Sequence, residues 1–121
     1  MNLEEHLLRQ MAFSHATFGP GRRTKGVIDH IKKELVEVEK STWGPEEWVD
    51  VVALAMDGLT RSLAYPHETY KTRHERADPV WVANQACTLI REKQGIVEGR
   101  RYPDWRTVDH DKAIEHDRSG E

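Results

Sequence analysis

The sequence holds one cysteine, Cys87, in 121 residues, so no intrachain disulfide can form and a disulfide-stapled fold is excluded. A lone thiol suits a reducing cytosol, and its place in an apolar helical stretch reads as packing and not as a catalytic nucleophile. No apolar run approaches the roughly 20 residues that a bilayer span requires; the longest covers residues 51–56. The first residues alternate charge with leucine and lack the basic start and apolar core of a secretion signal, so a cytoplasmic location is expected. Charge of one sign is also missing. With 18 basic against 21 acidic residues the net charge is -3, which gives no long-range field for nucleic acid. Neither a nucleic-acid nor a membrane partner is expected, although Arg22, Arg23 and Lys25 form a short basic cluster. No internal repeat, low-complexity tract or β-hairpin alternation is visible.

What is present is helical periodicity. Hydrophobic residues make up 37% of the chain and charged residues 32%, too patterned for general disorder and thin enough in core to favour association. One domain over residues 1–121 is expected, with residues 107–121 as a tail free to move. Leu3, Leu7, Leu8 and Met11 recur at helical spacing behind Asn2, a candidate cap, and predict a first helix ending near His15. Residues 17–24 carry two glycines and a proline and predict a basic loop that ends at Thr24, a candidate cap. From residue 25 to about 40, Val27, Ile31, Leu35 and Val38 step by four, four and three, predicting an amphipathic helix. Pro45 then opens a third helix, with Glu46 and Glu47 suited to its positive end. Residues 48–59 of that helix are apolar nearly all the way round, which predicts burial. Residues 64–79 read as a polar loop, with or without a short helix, and residues 80–97 as a final helix. The fold class expected is all-α, a compact bundle of about four helices.

Acidic residues interrupt this pattern where a core is expected. At about 100° per residue, Glu34 falls at the edge of the apolar arc of the second helix, with His30 and Glu37 just beyond. On the third helix Glu47, Asp50, Leu54, Asp57 and Arg61 share one narrow face. An isolated buried carboxylate is costly, and like charges three residues apart on a helix repel. A divalent cation is an efficient compensation. Hard ions such as Mg²⁺ and Mn²⁺ take oxygen ligands and keep positions open for phosphate oxygens. Glu34-x-x-Glu37 and, ten residues on, Glu47-x-x-Asp50 supply four such ligands from consecutive helices. The alternative for each acid pair is a solvated helix face, and for Asp57 and Arg61 a simple i, i+4 ion pair.

The paired motif on consecutive helices of a short chain resembles the metal-binding signature of the MazG-like all-α nucleotide pyrophosphohydrolases. Within that group the blocks Thr17-Phe18-Gly19-Pro20-Gly21-Arg22-Arg23 and Gly26-Val27-Ile28-Asp29-His30-Ile31-Lys32-Lys33-Glu34-Leu35 are similar to the dATP/dGTP pyrophosphohydrolase branch found in phages. So are Glu46-Glu47-Trp48-Val49-Asp50-Val51-Val52, Leu54-Ala55-Met56-Asp57-Gly58, Tyr102-Pro103-Asp104-Trp105-Arg106 and Ala113-Ile114-Glu115-His116. The chain departs from the branch in a longer segment over residues 64–79 and in Ile96 and Val97, where a Lys-Asn pair is expected.

The resemblance implies hydrolysis of a purine deoxynucleoside triphosphate, dGTP or dATP, to the monophosphate and pyrophosphate, in a homodimer or homotetramer. It further implies Mg²⁺ or Mn²⁺ held by Glu34, Glu37, Glu47 and Asp50, with Glu37 the candidate to take the proton of the attacking water. For a phage-encoded chain the location becomes the host cytoplasm, and the product dGMP would feed synthesis of 2-aminoadenine DNA. Phosphate groups need cationic donors, and the candidates are Arg22, Arg23, Lys25, Lys33, Lys93 and Arg106. His30 stands one turn before Glu34 and could orient it. Ser14, His15 and Phe18 are candidates for a base pocket, Phe18 by stacking or, in the plainer alternative, as a plug under the loop. Trp105 is expected to anchor the tail. A di-iron bundle needs Glu-x-x-His pairs, which are lacking, and residues 19–26 lack the Gly-Lys-Ser/Thr ending of a phosphate loop. The rival from another class is a non-catalytic regulatory module that binds through the basic loop at residues 22–25.

Overall fold

The computed structural model describes residues 1–66 and 76–119. Four α-helices account for most of them: α1 (Leu3–Phe18), α2 (Thr24–Lys40), α3 (Pro45–Ala64) and α4 (Pro79–Glu98), followed by a 3₁₀ turn at Trp105–Thr107. No strand occurs among the described residues. The fold is all-α, as the periodicity predicts. Most of the loop expected over residues 64–79 lies outside the described residues.

The helix starts follow local chemistry with one exception. Asn2 caps α1, its Oδ1 accepting from the Glu5 N–H at 2.9 Å, and Glu4 and Glu5 sit in the first turn where the helix dipole favours them. Pro45 opens α3, where its missing N–H costs nothing. The exception is α2. Thr24 is already helical, and the cap is Arg23 in the left-handed region at φ 48°, with no side-chain cap hydrogen bond. The loop before it explains the difference. Gly19 and Gly21 adopt φ of 88° and 90°, conformations open to glycine, and they turn the chain so tightly that Thr24 enters the first helical turn.

The chain divides into two compact units, Met1–Cys87 and Thr88–Glu121. In the first, α2 and α3 form an antiparallel hairpin in which Gly58 lets Val27 approach: a Cβ added there would already touch Val27 Cγ1 at 3.5 Å. The dry core lies on the other side of α3. Leu7 and Met11 of α1 pack there with Ala64 and Tyr65 and with Val82, Ala83 and Ala86 from the start of α4, and Cys87 lies partly buried against this cluster. Burial of a residue such as Leu7, 1% exposed, is worth about 1.5–3 kcal/mol. In the second unit the Asp117 N–H donates to the Arg101 carbonyl at 2.7 Å and the Tyr102 ring meets His116 edge-on, so the residues after the 3₁₀ turn fold back on those before it.

A buried polar network fastens α1, the loop and α3 together. Arg61 is fully buried, and all five of its N–H donors have partners. Nε donates to Asp57 Oδ1 at 3.0 Å, Nη1 to the carbonyls of Gly19 and Gly21 at 2.9 and 2.7 Å, and Nη2 to the Ser14 carbonyl and Ser14 Oγ at 3.2 and 2.7 Å. The Ser14 hydroxyl donates in turn to Asp57 Oδ1 at 2.7 Å. The Asp57–Arg61 pair is thus an i, i+4 ion pair that also holds a neighbouring helix and loop. A second latch lies beside it. Arg22 donates to the carbonyls of Tyr65 and Pro66, each at 2.6 Å. The His15 ring stacks on Tyr65, with Nδ1 bonded to the Met11 carbonyl and Nε2 to the Tyr65 hydroxyl, both at 2.9 Å. Burial holds the His15 pKa below its ordinary value of 6.5, against the opposing pull of the Met11 carbonyl.

Two expectations on burial are corrected by the structure. Trp48, Val49 and Val52 of α3 are 55%, 62% and 51% exposed, and Leu35 of α2 is exposed as well. Val49 and Val52 stand one to two turns before Met56 and Leu59 on the face of α3 that packs on the core, so the described residues cover that face only over the C-terminal half of the helix.

Replacing Arg61 by Met leaves the buried Asp57 without its cation and the carbonyls of Ser14, Gly19 and Gly21 without the guanidinium donor, and should cost about 3–5 kcal/mol, read as a fall in the urea midpoint at constant slope. For His15 the unfolded chain takes up a proton more readily than the folded one, so its contribution to stability is present above pH 6.5 and is lost as the pH falls below that value. His15→Phe should therefore flatten the stability profile between pH 7 and about 5, checked by urea titrations across that range.

Candidate active site

One cavity of about 530 Å³ opens between α1, α2 and α3, entirely within the first unit, and its size is that of a small-molecule site. Its walls are unlike. From α2 come His30 and Glu34; from α3 come Asp50, Ala53, Leu54 and Asp57; and α1 supplies a mixed face of polar and aromatic groups that includes Gln10, Phe13, Ser14 and Phe18.

The helix register orders these groups along the cavity. Gln10 Nε2 donates to the Ala53 carbonyl at 2.6 Å, and Ser14 Oγ to Asp57 at 2.7 Å, so α1 and α3 advance together by four residues and run parallel. Asp50 therefore lies toward the His6 end, and Asp57 toward Phe13 and Phe18. On antiparallel α2, Glu34 shares the Asp50 end. One end is acidic and the other aromatic.

Glu34 is partly buried, and its Oε1 lies 3.4 Å from His30 Nε2. This is the expected neighbour relation, at a distance where a protonated His30 would steady the carboxylate. Phe18 is no plug: it is 48% exposed, edge-on to Phe13 at 6.4 Å between centroids, with the Arg23 guanidinium 5.5 Å from its ring centre. That leaves ring surface free to stack with a planar ligand.

Of the residues predicted from sequence, the cavity brings together Glu34, Asp50, His30 and Phe18, together with Ser14. Glu37 is exposed on α2. Glu47 leans back over Gly44, where its Oε2 lies 2.6 Å from the position a Cβ would take, at the positive end of α3. No group of three or more His, Cys, Asp or Glu side chains stands close enough to hold a metal ion among the described residues. The donor chemistry nonetheless fits a hard divalent cation, since Glu34 and Asp50 present carboxylate oxygens to one cavity from two helices.

None of the predicted cations lines the cavity. Arg22 and Arg23 hold the loop and the Phe18 ring, Lys33 pairs with Asp29 at 3.4 Å on the exposed face of α2, and Lys25 is exposed at the start of α2. His15 is engaged by Tyr65. Lys93 and Arg106 belong to the second unit, where Arg106 pairs with Asp104 and lies over the Trp105 ring. Sequence reasoning missed the contribution of α1, whose His6, Arg9, Gln10 and Phe13 all line the cavity. The signal was available: these four fall at i, i+3, i+4 and i+7, a polar and aromatic stripe beside the apolar one of Leu7 and Met11.

Neither a curated protein nor a solved structure matches the chain. A family description does: that of the dATP/dGTP pyrophosphohydrolases matches residues 7–69, just over half of the 121 residues, and takes in the cavity-forming helices and both acid pairs. On this match the chain belongs to the dATP/dGTP pyrophosphohydrolase family, hydrolases of nucleoside triphosphates.

Proposed function

We propose that the chain hydrolyses a purine deoxynucleoside triphosphate, dGTP or dATP or both, to the monophosphate and pyrophosphate in a reaction that depends on Mg²⁺ or Mn²⁺. The observation that carries this is the shared opening of Glu34 and Asp50, from two helices, onto the acidic end of a cavity whose other end is walled by Phe13 and Phe18. A purine has the planar face that such an aromatic end can stack against, and a triphosphate is the part of the substrate that carboxylates would meet only through cations.

Glu34, Glu37, Glu47 and Asp50 would hold the metal. When bound, it supplies positive charge toward the phosphate oxygens and acidity toward water. The chain's own groups do the rest. His30 orients Glu34, and the Ser14–Asp57–Arg61 network fixes the floor on which the nucleotide lies. A carboxylate takes the proton of the attacking water as the phosphoanhydride bond to the leaving group breaks, and Glu37, one turn from Glu34 on α2, is the residue we propose for it. A role of the MazZ kind, in which the dGMP released feeds 2-aminoadenine DNA in a phage-infected host cytoplasm, is the biological setting we propose.

The exposed apolar face of the hairpin, Leu35 with Trp48, Val49 and Val52, is proposed to be covered by a second copy of the chain. Large apolar side chains left exposed in such number support an interaction surface, and a homodimer or homotetramer would cover the same residues on each copy.

Purified protein given dGTP or dATP with Mg²⁺ is expected to release pyrophosphate. Glu34→Gln and Asp50→Asn should each lower turnover by about 10²-fold or more while the helical circular dichroism is kept; turnover indifferent to a chelator and to both changes rules the site out. Light scattering should give a multiple of the 14.0 kDa chain mass, and Trp48→Glu combined with Val52→Glu should reduce it to the single chain.

A further inference from the structure

The cavity holds three carboxylates, Glu34, Asp50 and Asp57, and one guanidinium or ammonium group, that of Arg9. Every other arginine near it is committed. Arg61 has used all five donors, Arg22 holds the end of α3, and Arg23 lies over Phe18. Arg9 is exposed, and no hydrogen bond, ion pair or ring contact joins it to another described residue.

Its position along the cavity is fixed by its neighbour. Gln10 is pinned by its bond to the Ala53 carbonyl and a second contact, His6 Nε2 to Gln10 Oε1 at 3.0 Å. Arg9, one residue earlier on α1, therefore stands at the Asp50 and Glu34 end, across from the acids and away from the Phe13–Phe18 end. An arginine held at a cavity wall, near carboxylates yet paired with none of them, keeps its planar fork of donors for a ligand. That fork matches phosphate oxygens two at a time.

We infer that Arg9 is the substrate-binding residue that grips the polyphosphate chain of the nucleotide, from the side of the cavity opposite Glu34 and Asp50. The inference rests on the proposed triphosphate chemistry of the same cavity and adds to it a residue outside both acid pairs and outside the basic loop. The acids and Arg9 then divide the work: the acids bring cations to one flank of the polyphosphate, and Arg9 offers direct hydrogen bonds on the other. Because Arg9 supports no other part of the described structure, its loss should leave the fold unchanged.

Inorganic tripolyphosphate is the probe that isolates this contact, since it has the charged chain and no base. Its binding to the full-length wild type, Arg9→Ala and Arg9→Lys is followed by thermal shift with and without Mg²⁺, and its inhibition of dGTP turnover is measured in parallel. Arg9→Ala should bind tripolyphosphate about tenfold more weakly or worse and raise KM for dGTP in proportion, with kcat little changed. Arg9→Lys should recover part of the loss, and deoxyguanosine inhibition and the ligand-free Tm should stay as in the wild type. Equal tripolyphosphate affinity in wild type and Arg9→Ala, or no binding by the wild type, overturns the assignment. A wild type that binds tripolyphosphate through Arg9 but releases no pyrophosphate from dGTP or dATP overturns the proposed reaction and upholds Arg9.

Discussion

The Arg61 guanidinium is the constraint from which the rest of the first unit takes its shape. A charge with no solvent exposure is tolerated only when its donors are all met, and here they are met by a carboxylate on its own helix, a serine on α1 and two carbonyls of the glycine loop. That requirement decides three things together. It sets the register of α1 on α3, it forces the loop to present the Gly19 and Gly21 carbonyls inward, and it leaves Asp57 with part of its surface on the cavity. The positive φ at both glycines follows from the same demand.

Once that register is set, the cavity is a by-product of helix geometry. α1 runs parallel to α3 with its Leu7 and Met11 stripe turned to the dry core, so the neighbouring stripe of His6, Arg9, Gln10 and Phe13 turns to α2. α2 reaches the space from the opposite direction and brings Glu34 to the level of Asp50. An acidic end and an aromatic end arise because two helices advance together and the third runs against them. A nucleotide has the same polarity, a charged chain at one end and a planar ring at the other.

The elements of the fold were legible in the sequence, and the orientation of their faces was less so. Asn2 as a cap, Pro45 as a helix start and the four-four-three spacing of α2 each have a local physical cause, and each appears where that cause puts it. Thr24 is no cap because the turn made at Gly19 and Gly21 brings it into the first turn of α2 and leaves Arg23 as the cap. The wheel for α2 placed Leu35 in the core arc and Glu34 at its edge, yet Glu34 is the more enclosed of the two. A wheel shows which residues share a face and is silent on what lies opposite. The same limit hid Arg9: its helix was recognised, but the parallel pairing of α1 with α3 depends on long-range hydrogen bonds from Gln10 and Ser14 that no local pattern announces. The basic loop was read as phosphate-binding from its charge, while the structure engages Arg22 with carbonyls and Arg23 with a ring.

The cavity acids and the exposed apolar groups occupy different sectors of α2 and α3. A two-helix hairpin has two broad faces, and the first takes in α1 and the cavity. The residues of α2 and α3 that meet that cavity mix Glu34, His30, Asp50 and Asp57 with Ala53 and Leu54, so apolar burial there is partial. Trp48, Val49 and Val52 stand on the sector of α3 that packs on the core further along through Met56, Leu59 and Leu63, and they are exposed because that core covers only the C-terminal half of the helix. Glu34 and Asp50 are held against their mutual repulsion by the packing of α2 on α3 and by the bonds that tie α1 to α3.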